Sequence, residues 1–209
     1  MTMTSYFDRL ANSWDANPMK VERARATAEQ CRLTPLASRE SLLDIGGGTG
    51  LLSLFLQGDF KTITIADTSS EMLRVAREKI AAAGIDNIRI CLLQKDLSEL
   101  TGSFSAIISL MTLHHIHDLD AFLGHAADLL NKHGTLMIAD LYLDRDGSFH
   151  KHVADFQGHD GFDIDQLSQK LVNAGFAVRQ VKPYYKISKT NRAGTEQEFP
   201  LFFMVAGKS

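Results

Sequence analysis

Cysteine is scarce in this sequence: Cys31 and Cys91 are the only two in 209 residues, far apart and in apolar contexts. A disulfide framework is thereby excluded, and both read as buried thiols of a reducing compartment. Only four prolines occur, and no Pro- or Gly-rich linker marks a boundary, so the expectation is one domain spanning 1–209. Long apolar runs are absent, which excludes a membrane-spanning helix. The opening "MTMTSYFDRLANSWD" is too polar for a secretion signal, and the reading is cytoplasmic. Blocks of Lys and Arg are missing too, and a formal charge of -3 gives no electrostatic case for nucleic acid.

What is present is alternation. "SLLDI", "TITIAD", "IRICLL", "FSAIISL" and "GTLMIADLYL" are short runs that are apolar on both faces, as central parallel strands are. Helical patterns lie between them. Asn17 and Pro18 open one that ends before Pro35. Thr68-x-x-Glu71 is read as a capping box for a second, carrying Met72, Ala76 and Ile80 inward. Asp118 or Asp120 starts a third and Asp163 a fourth, which ends at Gly175. Strands alternating with helices make βαβ units and a doubly wound sheet. "FAVRQVKPYYKISKT" and "EFPLFFMVAGKS" leave no room for a helix between them and predict an antiparallel hairpin on one sheet edge.

The first strand runs straight into "GGGTG". Ordering glycine is costly, so Gly46, Gly47, Gly48 and Gly50 together need a reason. In such sheets ligands bind beyond the carboxyl ends of the strands. The dinucleotide pattern GxGxxG fails, because from Gly46 it would need glycine where Leu51 stands. No phosphate-cradling GxxxxGK[ST] exists either. The pattern is GxGxG, preceded by Asp44, a carboxylate that would repel pyrophosphate and attract an ammonium or sulfonium group.

"LLDIGGGTG" resembles the first motif of the class I S-adenosylmethionine-dependent methyltransferases, and the resemblance continues in order along most of the chain. "ITIADTSSEML" is similar to their second strand, where Asp67 would bind the ribose hydroxyls beside Thr68. "LLQKDLSEL" is similar to the following loop, where Asp96, next to Lys95, would take the adenine amino group. Leu97 and Met72 would sandwich the ring. "FSAIISLMTLHHIHD" resembles the fourth strand with Leu110 at its exit. "LLNKHGTLMIADL" resembles the fifth, with Lys132, Gly134 and Asp140 matching and His133 in place of a proline, a change expected to be harmless. The small enzymes of ubiquinone and menaquinone biosynthesis are the most similar group, and "FDRLANSWDANP" is like their N-terminal segment. The resemblance implies a Rossmann-like, mostly parallel α/β sheet, with residues 1–38 covering the cofactor and Trp14 facing the sulfonium. It implies S-adenosylmethionine as cofactor, a small-molecule acceptor and methyltransferase activity; the edge of the C-terminal hairpin offers a surface for a homodimer. A non-catalytic S-adenosylmethionine-binding protein and an NAD(P)-dependent oxidoreductase are the alternatives.

Methyl transfer requires the acceptor to be held in line and often deprotonated, and histidine suits that task near neutral pH. Eight histidines are present. His114, His115 and His117 leave the fourth strand; His150, His152 and His159 lie in the irregular segment after the fifth. His115, His150 and His159 are expected to line the acceptor pocket, one as base. His114 and His117 are read as capping groups. On a strand the adjacent His114 and His115 would point apart, so no metal site is expected.

Overall fold

The computed structural model describes residues 3–151 and 156–208. Helix α1 (Met3–Leu10) and a 3-10 turn (Ala11–Ala16) lead into α2 (Pro18–Leu33). The Asn17 side chain caps α2 by accepting from Met19 N at 3.0 Å, with Pro18 filling a position that needs no donor. Then follow β1 (Ser41–Ile45), α3 (Leu51–Phe55), β2 (Thr62–Asp67), α4 (Ser70–Ala82), β3 (Ile88–Leu92) and β4 (Phe104–Leu110). The chain continues through α5 (Leu119–Leu129), β5 (Leu130–Leu141), α6 (Ile164–Asn173), β6 (Phe176–Thr190) and β7 (Glu196–Lys208).

The seven strands form one sheet in the order β3-β2-β1-β4-β5-β7-β6. The first five are parallel, and β7 pairs antiparallel with both β5 and β6. The predicted hairpin is therefore present at the β5 edge, with its second strand on the inside. Successive residues of the central strands feed opposite cores, as a pleat requires. Leu42, Ile108 and Phe203 pack with α2, α3 and α4, while Leu43, Ile107 and Phe202 pack with α5 and α6. The winding direction reverses between β1 and β4. Their carboxyl ends therefore open a crevice at the edge where Gly46 and Met111 leave the sheet.

Two local expectations need correcting, the cap of α4 and the burial of Cys91, and His133 has a conformation of its own. Ser69, not Thr68, caps α4: its hydroxyl accepts from Met72 N at 3.2 Å. Asp67 holds Ser69 N at 2.8 Å, which delays the helix start by one residue and leaves Thr68 exposed. His133 adopts φ +65°, a left-handed conformation closed to proline. A proline could not stand at this point of β5 in the conformation His133 takes. Cys31 is buried, but Cys91 is only half-buried. Among the described residues no helix is long and apolar enough to cross a membrane.

Candidate active site

The glycine loop is shaped first by the protein itself. A Cβ on Gly46 would stand 2.2 Å from Thr112 Oγ1, one on Gly47 2.9 Å from the Asp44 carboxylate, and one on Gly50 3.0 Å from Ile65. Three of the four glycines are thus explained by neighbouring side chains. Gly48 differs: at φ +54° its missing side chain would meet only Met72 Sδ, at 3.9 Å. It is the one position where the bare backbone faces space and not a packed neighbour.

Asp67 joins this open point to β2. One carboxylate oxygen accepts from Gly48 N at 2.9 Å and the other from Ser69 N. Burial raises its pKa above the usual carboxylate range, opposed by those amide donors. Asp44 does not look outward. It is 1 % exposed and accepts from Ser53 Oγ at 2.6 Å, so it braces the loop from beneath against α3. Burial raises its pKa to about 6.

The N-terminal segment lies over this end of the sheet. Asp8 accepts from Ser69 Oγ at 2.6 Å. Asp15 accepts from Thr49 Oγ1 at 2.6 Å and pairs with Lys79 at 2.5 Å. Trp14 does carry a cation on its ring face, but it is the Lys20 ammonium, 3.2 Å from the ring centroid. Two surface hollows of about 580 and 490 Å³ are lined by none of the loop glycines and by none of the histidines described below, the first including Asp15 and the second Leu97.

Beyond β3, Asp96 caps a 3-10 turn by accepting from Ser98 N at 2.9 Å, and hydrogen bonding first from the Ser98 side chain and then from its backbone lowers the Asp96 pKa. Lys95 is exposed, 3.8 Å from it. Leu97 and Met72 are both buried, and Leu110 is half-buried at the end of β4.

At that end the histidines gather. Met111 takes φ +53°, rare for a residue with a side chain, and throws the chain into a 3-10 turn, Leu113–His115. Because this is a turn and not a strand, His114 and His115 do not point apart. Their ring centroids are 4.0 Å apart. His114 Nδ1 meets Asp140 Oδ1 at 2.6 Å, both side chains buried, so it is more than a cap. The segment after β5 is drawn back by His159, whose backbone N donates to His114 O and whose Nε2 donates to Ile116 O at 2.9 Å. His159 therefore acts as a clasp. That return also needs Gly158 and Gly161, where a Cβ would stand 2.2 Å from the carbonyl oxygens of His114 and Tyr142. Sequence reading missed both glycines; the signal was the "GHDG" frame around His159.

The clasp brings His150 to the cluster. Its ring stacks on Phe156 at 3.7 Å and lies 5.0 Å from His114 and 6.1 Å from His115. Its Nδ1 meets Asp160 Oδ1 at 3.2 Å, while its Nε2 is buried without a partner. His115 Nδ1 is buried and unpartnered as well. Burial first, then the neighbouring imidazoles, lowers His115 to about 2. The same causes lower His150 to about 4, against the pull of Asp160. Both are neutral at physiological pH. His117 is exposed, and His152 lies outside the described residues. Among the described residues no three His, Cys, Asp or Glu are arranged to hold a metal ion.

The family model described as "Methyltransferase domain" matches residues 19–181. The chain belongs to the class I S-adenosylmethionine-dependent methyltransferase family. An uncharacterized methyltransferase of Schizosaccharomyces pombe is 31% identical over 155 residues, 68% of this chain and 55% of its own length. A ubiquinone biosynthesis O-methyltransferase of Xanthomonas axonopodis pv. citri is 31% identical over 147 residues, 65% of this chain and 59% of its own. The chain thus spans under two thirds of these relatives. A SAM-dependent methyltransferase from Aquifex aeolicus shares the fold, with a TM-score of 0.70 at 18% identity and full coverage of both chains. The family's cofactor is S-adenosylmethionine. Gly48, open beside the Asp67 carboxylate, fits it, whereas the loop lacks the GxGxxG spacing of a dinucleotide site.

Proposed function

We propose that this protein transfers a methyl group from S-adenosylmethionine to a small organic acceptor held at the exits of β4 and β5. The observation that carries the reading is a juxtaposition. Gly48 and Asp67 present an open backbone and a carboxylate on one side of the crevice, and two buried, unpartnered imidazole nitrogens stand on the other. Buried nitrogens without partners are costly unless a ligand meets them.

S-adenosylmethionine, when bound, supplies an electrophilic methyl group on a sulfonium. Asp67 has carboxylate lone pairs left for a ribose diol after accepting from Gly48 N and Ser69 N, and Met72 lines the open point. Asp96 and Leu97 are assigned to the adenine, and the N-terminal segment 1–38 covers the site. The acceptor faces His115 and His150. His150 is the better base, because Asp160 fixes the tautomer with the proton on Nδ1 and leaves Nε2 as the lone pair. The His114–Asp140 pair is a positioning element that holds the β4 exit turn against β5. The oxygen specificity in the name of the Xanthomonas relative supports a hydroxyl acceptor.

Calorimetry with S-adenosylhomocysteine and NADH, followed by labelled-methyl transfer to phenols, quinols and amines, tests the reading. Binding of the nucleoside but not NADH, with label entering a hydroxyl compound, is expected. His150→Gln should then lower kcat about 100-fold or more with nucleoside affinity unchanged. Binding of NADH alone would overturn the reading.

A further inference from the structure

Three cations meet where α2 crosses β6. Lys20 and Arg23 are one turn apart on α2, and Lys189 reaches toward them from β6. All three are half-buried. Among the described residues no carboxylate lies within ion-pair distance of any of them. Arg23 Nε is buried with no hydrogen-bond partner at all. Lys189 Nζ has the carbonyl of Phe149 at 3.2 Å and that residue's ring at 3.6 Å, and Lys20 has the Trp14 ring. The groups around them are Asp15, the phenols Tyr184 and Tyr185, and Asp140 at a distance from Arg23. Tyr184 is hydrogen-bonded to Thr27 and Tyr185 to Glu22. Desolvation, then the repulsion of Arg23, lowers both lysines to about 8. Like charges gathered in a half-buried place destabilise the fold unless a counter-charge arrives.

The place is continuous with the histidine cluster. Lys20 lies on Trp14, Trp14 meets Phe7 at 5.7 Å, and Phe7 meets His115 at 5.4 Å. On the other side Lys189 lies on Phe149, and Phe149 meets His150 at 4.9 Å. Aromatic rings thus lead from both unpartnered imidazoles to the cations. Asp67 and Asp96, the groups assigned to the donor, are on β2 and beyond β3, on the far side of β1 from β6, which carries Lys189.

We infer that Lys20, Arg23 and Lys189 form an anion subsite for the methyl acceptor, which is therefore an aromatic or apolar molecule bearing a carboxylate-class acid group. The inference rests on the methyl-transfer reading and narrows its substrate class.

Benzoate and its neutral isostere benzamide are the probes, titrated with saturating S-adenosylhomocysteine present. The readouts are thermal unfolding and the fluorescence of Trp14, the single tryptophan. Benzoate should raise Tm and change the Trp14 signal, and benzamide should bind at least tenfold more weakly. Lys189→Met should raise Tm by about 2 °C or more in the absence of benzoate, since an unpaired cation is removed. It should also weaken benzoate at least tenfold while leaving nucleoside affinity unchanged; Lys20→Met should likewise raise Tm and weaken benzoate at least tenfold. A merely structural lysine would lower Tm on removal. Equal or absent binding of benzoate and benzamide, with the nucleoside still bound, overturns the subsite and leaves methyl transfer standing. A tenfold loss of nucleoside affinity in Lys189→Met assigns the cations to the donor's own carboxylate and overturns the acceptor subsite. Failure of the nucleoside to bind the parent protein overturns both readings.

Discussion

Individual residues in the glycine loop answer to different neighbours, and substitutions separate them. Gly46→Ala drives a Cβ into Thr112 at φ +66°, and is expected to cost about 2 kcal/mol or more in urea unfolding. Gly48→Ala meets no packed neighbour, so it should cost only about 1 kcal/mol of backbone strain yet weaken S-adenosylhomocysteine at least tenfold by calorimetry. Equal stability losses with unchanged nucleoside affinity would refute this division. Asp140 is a different case: His114 Nδ1, His114 N and Leu141 N all depend on its carboxylate. Asp140→Ala leaves these donors buried and unpaired, an expected loss of about 3 kcal/mol in the same measurement. The motif residues Gly48, Asp67 and Asp140 were legible from the sequence. The Asp140 partner was not, because a histidine beside another histidine reads as strand until Met111 is seen to turn the chain.

At the level of elements, α1 and the 3-10 turn after it are held by polar ties more than by a deep apolar face. Asp15 supplies two of these ties, to Thr49 and Lys79. Both ionic partners are about a quarter exposed, so Asp15→Ala should change global stability by less than about 1 kcal/mol. Its local effect is larger: amide exchange over residues 3–16 should quicken about fivefold or more, reported by hydrogen-exchange mass spectrometry. Unchanged exchange there would show that other contacts hold the segment. The strands and the helices α2, α4, α5 and α6 were legible to within a few residues, because an all-apolar run between helical patterns has few other homes; the short α3 after the glycine loop was not read. The start of α4 was misplaced by one residue because Asp67 and Ser69 bond each other across a turn, a choice invisible to a spacing rule.

The whole molecule responds to pH through opposing groups. Asp44, with a folded pKa near 6 against about 4 unfolded, binds more protons in the folded state between those values. Folding is therefore favoured as pH falls through that window, by up to about 3 kcal/mol. His150 and His115 act the other way. Their folded pKa values lie below the unfolded value of about 6.5, so stability present above it is lost as the solution is acidified. Asp44→Asn removes only the first effect, so between pH 6 and 4 the variant should lose stability more steeply than the parent in urea titrations. A shallower loss would reverse the sign assigned to Asp44.

The order of motifs, the βαβ rhythm and the chemistry of the GxGxG loop are properties of local sequence, and they determined the fold class and the family. Periodicity and turn chemistry act over a few residues, which is why the chain could be read that far. Three things were decided only by the folded chain: that Gly46, Gly47 and Gly50 yield to side chains, that His159 clasps while His150 faces inward, and that Lys20 and Arg23 meet Lys189. Each of these depends on residues brought together from distant parts of the chain, and the sheet order that does so leaves no mark in any one of them.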